Sequence, residues 1–194
     1  MLLASLLACG PTLPDCSSGQ HITANGECAD DPTIEGSELF PACEPLAAGD
    51  RIEVRAGCAD GACNGADFPT INAALGEEGV CEADISGLSF CSWLDDGLHS
   101  FFDDDDGDDL PDTGAPAAGI YLYPDYDGST EEGLGLGISM ACWLDTYGYT
   151  DEVEYETDDA GDRYISELWW PSIGLFVDDR DLDGLADRIS LFGS

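Results

Sequence analysis

Phe176-Val177-Asp178-Asp179-Arg180-Asp181-Leu182-Asp183-Gly184-Leu185-Ala186-Asp187 leads directly into Arg188-Ile189-Ser190-Leu191-Phe192. Two short apolar runs bracket an acidic, turn-rich segment, which reads as strand, loop, strand. Seventy-five residues upstream, Phe101-Phe102-Asp103-Asp104-Asp105-Asp106-Gly107-Asp108-Asp109-Leu110-Pro111-Asp112 aligns on the first twelve of these residues without a gap. Counted from Asp104 and Asp179, both copies place Asp at loop positions 1, 3, 5 and 9 and Leu at position 7. A low-complexity acidic run has no need of that spacing. The repeat therefore reads as two built loops set on a β framework.

Outward from the loops the same framework continues. Strands are expected at Ile120 to Tyr123, Glu152 to Thr157, Tyr164 to Trp170, Ile173 to Val177 and Arg188 to Phe192. Leu134, Leu136, Ile138, Met140, Cys142 and Leu144 alternate with Gly135, Gly137, Ser139 and Ala141, as on a strand with one apolar and one small-residue face. Asp50 to Arg55 reads as a further strand with Ile52 and Val54 inward. Phe68 to Leu75 reads as one short helix, with Thr70 as N-cap and Gly76 as its stop. Twenty-four glycines and ten prolines supply many turns. The expected fold is mainly β: a disulfide-stapled antiparallel β-sandwich or barrel-like domain with a short helix and long loops.

The loops carry the clearest chemistry. Calcium takes six to eight hard oxygen ligands, and alternating Asp residues in a tight turn point several carboxylates inward while a carbonyl at position 7 adds another. The candidate ligands are Asp104, Asp106, Asp108 and Asp112 with the carbonyl of Leu110, and Asp179, Asp181, Asp183 and Asp187 with the carbonyl of Leu185. Position 6, where a sharp turn favours glycine, is Gly184 in the second loop and Asp109 in the first. Position 12 falls on Ala115 and Ser190, so neither loop has the closing glutamate of an EF-hand. The D-x-D-x-D-G-x-x-D pattern resembles the calcium loops of thrombospondin type 3 repeats and of FG-GAP propeller blades, in which a strand follows. That resemblance covers two stretches of about a dozen residues and implies calcium as the bound ion. A whole propeller needs more blades than this chain furnishes.

Charge and cysteines place the chain. Forty-two acidic residues face five basic ones, all arginine, for a formal net charge of −37. Nucleic acid and anionic lipid headgroups are poor partners for that field, and no nucleic-acid partner is expected. Nine cysteines, at 9, 16, 28, 43, 58, 63, 81, 91 and 142, lack zinc-ligand spacing and read as disulfides in an oxidising compartment. Cys58 and Cys63 suggest a tight local loop. Leu6-Leu7-Ala8-Cys9 resembles a bacterial lipobox. The resemblance implies cleavage before Cys9, lipidation of its thiol as a membrane anchor, and eight cysteines left to pair. The expected organisation is a signal segment over residues 1–8, a tether over 9–31, a cysteine-rich segment over 32–65 packing on the main domain, and a β-rich calcium-loop domain over 66–194.

No H-E-x-x-H, G-x-S-x-G or phosphate loop occurs, and His99 stands alone, so no catalytic residue is assigned and an enzyme is not expected. Tyr121, Tyr123, Tyr126, Trp143, Trp169 and Trp170 offer apolar ring faces. Adjacent residues on a strand point to opposite sides, so at most one of Trp169 and Trp170 is exposed. The expectation is an exported, calcium-stabilised surface lipoprotein of the bacterial envelope, outer-membrane or secreted, with a structural or binding role and a partner among carbohydrates or other surface proteins. The alternatives are a calcium-dependent carbohydrate-binding module and, behind it, a secreted hydrolase.

Overall fold

The computed structural model describes residues 20–22, 28–30, 41–49, 51–83, 87–95, 97–105, 107–148, 150, 152–157, 159–161 and 163–192. The chain forms two units, residues 1–33 and 34–194. In the first, β1 (Gln20–Ile22) pairs antiparallel with β2 (Cys28–Asp30), where the sequence suggested a tether with little regular structure. The Asn25-Gly26 pair between them in the sequence is a hairpin signal that the tether reading passed over. Cys9 and Cys16 lie outside the described residues.

The second unit runs β3 (Ile52–Glu53), β4 (Cys58–Ala59), β5 (Ala62–Cys63), α1 (Phe68–Leu75), β6 (Val80–Ala83), β7 (Leu88–Trp93), β8 (Leu98–Asp103), β9 (Ile120–Leu122), α2 (Met140–Tyr147), β10 (Glu152–Thr157), β11 (Arg163–Trp170), β12 (Leu175–Asp178) and β13 (Arg188–Leu191). β3, β4 and β5 make a small sheet, and the other eight strands make one antiparallel sheet in the order β10-β11-β12-β13-β9-β8-β7-β6. The mainly β, disulfide-stapled class is as the sequence implies. The barrel alternative is not realised, because β10 and β6 remain as open edges.

That strand order is a palindrome of two meanders, β6 to β9 and β10 to β13, joined where β9 meets β13. Ser190 faces Tyr121 at the join, with Ile189 opposite Leu122 and Leu191 opposite Ile120, so a local two-fold axis passes between Ser190 and Tyr121. Each meander follows a short helix, α1 or α2, and each carries an acidic loop before its last strand. The hydrogen bonds repeat as well. The Tyr123 N–H donates to the Gly97 carbonyl (3.0 Å) and the Phe192 N–H to the Gly174 carbonyl (2.7 Å). Ala117 donates to the Ala66 carbonyl and Ala186 to that of Ile138, at 2.8 and 2.9 Å. Trp93-Leu94-Asp95-Asp96-Gly97-Leu98 and Trp170-Pro171-Ser172-Ile173-Gly174-Leu175 share W-x-x-x-G-L at the hairpin turns. The duplication seen in the loops therefore extends over the whole α-β-β-β-loop-β unit.

Several elements differ from their sequence reading. Leu134 to Leu144 is not a strand: Ser139 caps the N-terminus of α2 with its hydroxyl, and Met140, Cys142, Trp143 and Leu144 are buried. Helical spacing of Met140, Trp143, Leu144 and Tyr147, closed by Gly148, prevails over the shorter alternation. The N-cap of α1 is Asp67, whose carboxylate accepts the Thr70 N–H at 3.0 Å, while Gly76 ends the helix as expected. Of the described residues 51–55 only Ile52 and Glu53 are strand, and Val54 to Ala56 turn as 3-10 helix, although Ile52 and Val54 do face inward.

The small sheet, both helices and the large sheet share one buried cluster, from Ile52, Val54 and Ala59 through Ile71 and Trp143 to Leu168, Val177 and Ile189. Three disulfides close within the described residues: Cys43–Cys142, Cys58–Cys63 and Cys81–Cys91. The stretch from Leu46 to Ile52 lies along 129–133, with Leu46 donating to the Gly133 carbonyl and Gly49 to that of Thr130. A Cβ on Gly133 would stand 2.4 Å from the Leu46 carbonyl oxygen, so glycine permits the approach. Arg51 ties this strap to the small sheet, bonding both oxygens of Asp60 (2.8 and 2.7 Å), whose Oδ2 also accepts from the Tyr126 hydroxyl. Burial raises the Asp60 pKa, but the hydrogen bonds from Arg51 and Tyr126 outweigh it and hold the carboxyl below its ordinary value.

Candidate metal centre

The acidic loops sit at equivalent places, residues 104–112 after β8 and 179–187 between β12 and β13. Each closes on itself through carboxylates that accept backbone N–H groups. Asp104 Oδ1 accepts from Gly107 and Asp108, and Asp179 accepts from Asp183 and Gly184 at 3.2 and 2.7 Å. Asp112 Oδ2 accepts from Asp105, and Asp187 Oδ2 from Arg180 and Asp181. Asp108 and Asp183 each accept the N–H two residues on, from Leu110 and Leu185. The two loops thus close by the same kinds of carboxylate to backbone bond, with the acceptors at positions 1, 5 and 9 shared.

Both loops need a left-handed backbone at positions 4 and 6, and each supplies glycine at only one of them. Gly107 (φ 69°) and Asp109 (φ 70°) fill these places in the first loop, Leu182 (φ 60°) and Gly184 (φ 85°) in the second. An L side chain costs roughly 1–2 kcal/mol in that region. Leu182→Gly is expected to stabilise the protein by about 0.5–1 kcal/mol after the entropy of glycine is set against it. Gly107→Ala should cost about 1 kcal/mol. Urea unfolding of the two variants checks the pair: loss in both would deny that the loops share a backbone.

The loops differ in what they assemble. Among the described residues, Asp179, Asp181 and Asp187 bring one carboxylate oxygen each to within 4.8 Å of one another. Asp179 is buried, Asp187 half-buried and Asp181 exposed. Asp183 stands outside this group, and the first loop forms no such group among the described residues; Asp106 lies outside them. Leu110 is exposed and Leu185 half-buried, the latter in a β-bridge with Ser139 at the start of α2.

Electrostatics follow the convergence. Burial pushes the Asp179 carboxyl up to about 6, against the N–H groups of Gly184 and Asp183, and the charge of Asp183 adds to the rise. Loss of solvent and the charges of Asp187 and Asp183 hold Asp181 above its ordinary value. Three converging carboxylates on a hydrogen-bonded turn suit a hard cation.

The strand ends flanking this loop carry groups that the sequence reading did not single out. Asp178 and Arg188 face each other across β12 and β13, and Asp178 Oδ2 accepts from Arg188 and lies 3.5 Å from Arg180 Nε. Asp178 and Arg188 flank the loop in sequence, one residue before it and one after. Trp169 is 43% exposed and Trp170 5%, as strand alternation requires. Trp143 and Tyr126 are buried in the core, and Tyr121 and Tyr123 are half-buried. No family model, curated protein or solved structure matches the chain.

Proposed function

We propose that the second loop binds calcium through Asp179, Asp181 and Asp187, that the ion is structural, and that the chain is an exported surface lipoprotein with a binding or structural role rather than a catalytic one. The observation that carries this reading is the 4.8 Å limit within which the three carboxylate oxygens lie. Calcium–oxygen distances of about 2.4 Å place two ligands of one ion at most about 4.8 Å apart, so the three oxygens fit a single coordination sphere. Three disulfides among the described residues favour an oxidising compartment. Anchoring through Cys9 belongs to the same proposal and rests on Leu6-Leu7-Ala8-Cys9 alone. The first loop is the second candidate, through Asp104, Asp106, Asp108 and Asp112.

Melting in calcium and in chelator tests the reading. A dissociation constant on the order of 10⁻⁴ M gives about 2.7 kcal/mol of stabilisation at about 10 mM calcium. For a chain of this size that raises the melting temperature by about 5–10 °C. Asp181→Ala should abolish the rise, because that side chain is exposed at the ligand cluster. Equal melting temperatures in calcium and chelator would sink the proposal.

A further inference from the structure

Beside the second loop, on the face of the sheet that carries Trp169, lies a cavity of about 380 Å³ whose walls include Glu156, Ser166, Glu167, Asp178, Arg180 and Arg188. Buried polar groups are ordinarily paired. Here three are not: Asp178 Oδ1, Ser166 Oγ and Arg188 Nε are buried without a hydrogen-bond partner, although Asp178 Oδ2 engages both arginines. The Asp178 side chain is only 6% exposed and Ser166 4%. Ser166 owes its place to a register shift between β10 and β11, where it is the extra residue between Ile165 and Glu167. Such bulges commonly re-aim side chains beside binding sites.

The acidic loop does not require these groups. The alignment of the two loops relates Asp179, which donates its N–H to the Ser166 carbonyl, to Asp104, which donates to that of Gly87. Counted from the loops, the places of Ser166, Glu167, Asp178 and Arg180 are taken by Gly87, Leu88, Asp103 and Asp105, whereas the strand pairing behind the two-fold sets Ser166 against Ser89, whose hydroxyl is also buried without a partner. One half holds its loop with no arginine at these places, so the grouping of Asp178 with Arg180 and Arg188 in the other half calls for a separate account. A second cavity of about 400 Å³, lined by Val54, Arg55, Glu132 and Tyr147 among others, has no unpartnered buried side-chain atom in its walls.

The chemistry of the walls selects the ligand. An anion would meet Glu156, Glu167 and Asp178, and a cation would meet Arg180 and Arg188. A neutral polyol meets neither objection. Adjacent hydroxyls donate to Asp178 Oδ1 and accept from Arg188 Nε, while Ser166 serves either way. Burial and the charges of Glu154 and Asp178 raise the Glu167 pKa. Trp169 lies on the same face as Glu167, two residues along β11 and opposite Phe176, whose ring the Arg188 guanidinium covers at 5.3 Å. Its exposed ring offers an apolar face to the C–H side of a sugar.

We infer that this cavity binds a neutral saccharide, with Asp178, Arg188 and Ser166 taking its hydroxyls and Trp169 stacking on its ring. Asp179, a ligand in the proposed calcium site, also lines this cavity, so the two sites adjoin, and the titration is run in calcium and in chelator to tell them apart. The test is calorimetric titration of the full chain, in both buffers, with neutral oligosaccharides of glucose, mannose, galactose and N-acetylglucosamine, and with oligogalacturonate as the acidic comparison. At least one neutral oligosaccharide should bind with a dissociation constant below about 1 mM, and Trp169→Ala and Ser166→Ala should each weaken it, the former about 10-fold. Trp169 is exposed and Ser166→Ala removes an unpaired hydroxyl, so both variants keep the fold, as circular dichroism would verify. No binding by any neutral oligosaccharide at about 10 mM, binding of the acidic oligomer alone, or affinities unchanged in both variants would overturn the inference.

Discussion

Replacing Cys43 by serine is expected to lower the unfolding free energy by about 4 kcal/mol. Cys43 and Cys142 are 99 residues apart, so their disulfide closes the longest loop of the three among the described residues. The loop-entropy argument gives its largest effect in this case, because an unfolded chain freed at residue 43 regains the most conformations. Cys43 is exposed and Cys142 fully buried in α2, so Cys43→Ser leaves the core side untouched. The strap that follows Cys43 is also held by N–H groups of Leu46, Gly49 and Ile52 donating to carbonyls at 133, 130 and 129. A loss below about 1 kcal/mol in urea would mean that this zipper alone holds the strap.

Trp143→Ala is expected to cost about 3–5 kcal/mol. The side chain is fully buried and stacks on Tyr147 with ring centroids 6.2 Å apart. The substitution also separates the helix from the strand that apolar alternation suggests. On a strand, Trp143 would share the small-residue face with Ser139 and Ala141, and its removal would be mild. In α2 it points into the core between the helix and the large sheet. Its indole Nε1 is buried without a partner, so Trp143→Phe removes an unsatisfied donor along with part of the ring and should cost only about 1–2 kcal/mol. A mild Trp143→Ala together with a severe Trp143→Phe would contradict the helix.

The parts of the fold that were legible are those where side-chain size tracks burial. β10 and β13 keep large apolar residues inward, and their bounds follow the alternation to within a residue. β7 and β8 do not, and the sequence reading passes them by. In β7 the buried positions are Ser89, Cys91 and Trp93, while the larger Leu88 and Phe90 lie on the half-exposed side. In β8, Ser100 is fully buried and spends its hydroxyl on the Gly119 carbonyl at 2.8 Å. Hydrophobic periodicity is blind to a serine that buries itself by hydrogen bonding. The α2 segment misled for a different reason: its apolar residues satisfy both a two-residue and a 3.6-residue period, and Ser139 and Gly148 at its ends were the deciding marks.

For the site, the repeat made the loops visible, because Asp at fixed spacing is a pattern that burial does not scramble. It did not make their inequality visible. That difference arises in three dimensions, where Asp179, Asp181 and Asp187 converge and Asp183 turns to the Leu185 N–H. The arginines at 180 and 188 escaped notice since nothing in their spacing announces a cavity; the register shift at Ser166 and the pairing of Asp178 with Arg188 create it.

Calcium binding by the second loop is tested most directly by calorimetric titration of calcium into the oxidised chain, with Asp181→Ala and Asp112→Ala titrated alongside. The geometry predicts heat with a dissociation constant on the order of 10⁻⁴ to 10⁻³ M, lost in Asp181→Ala and retained in Asp112→Ala. No heat up to about 10 mM calcium, or a signal that Asp112→Ala abolishes and Asp181→Ala leaves intact, would contradict it.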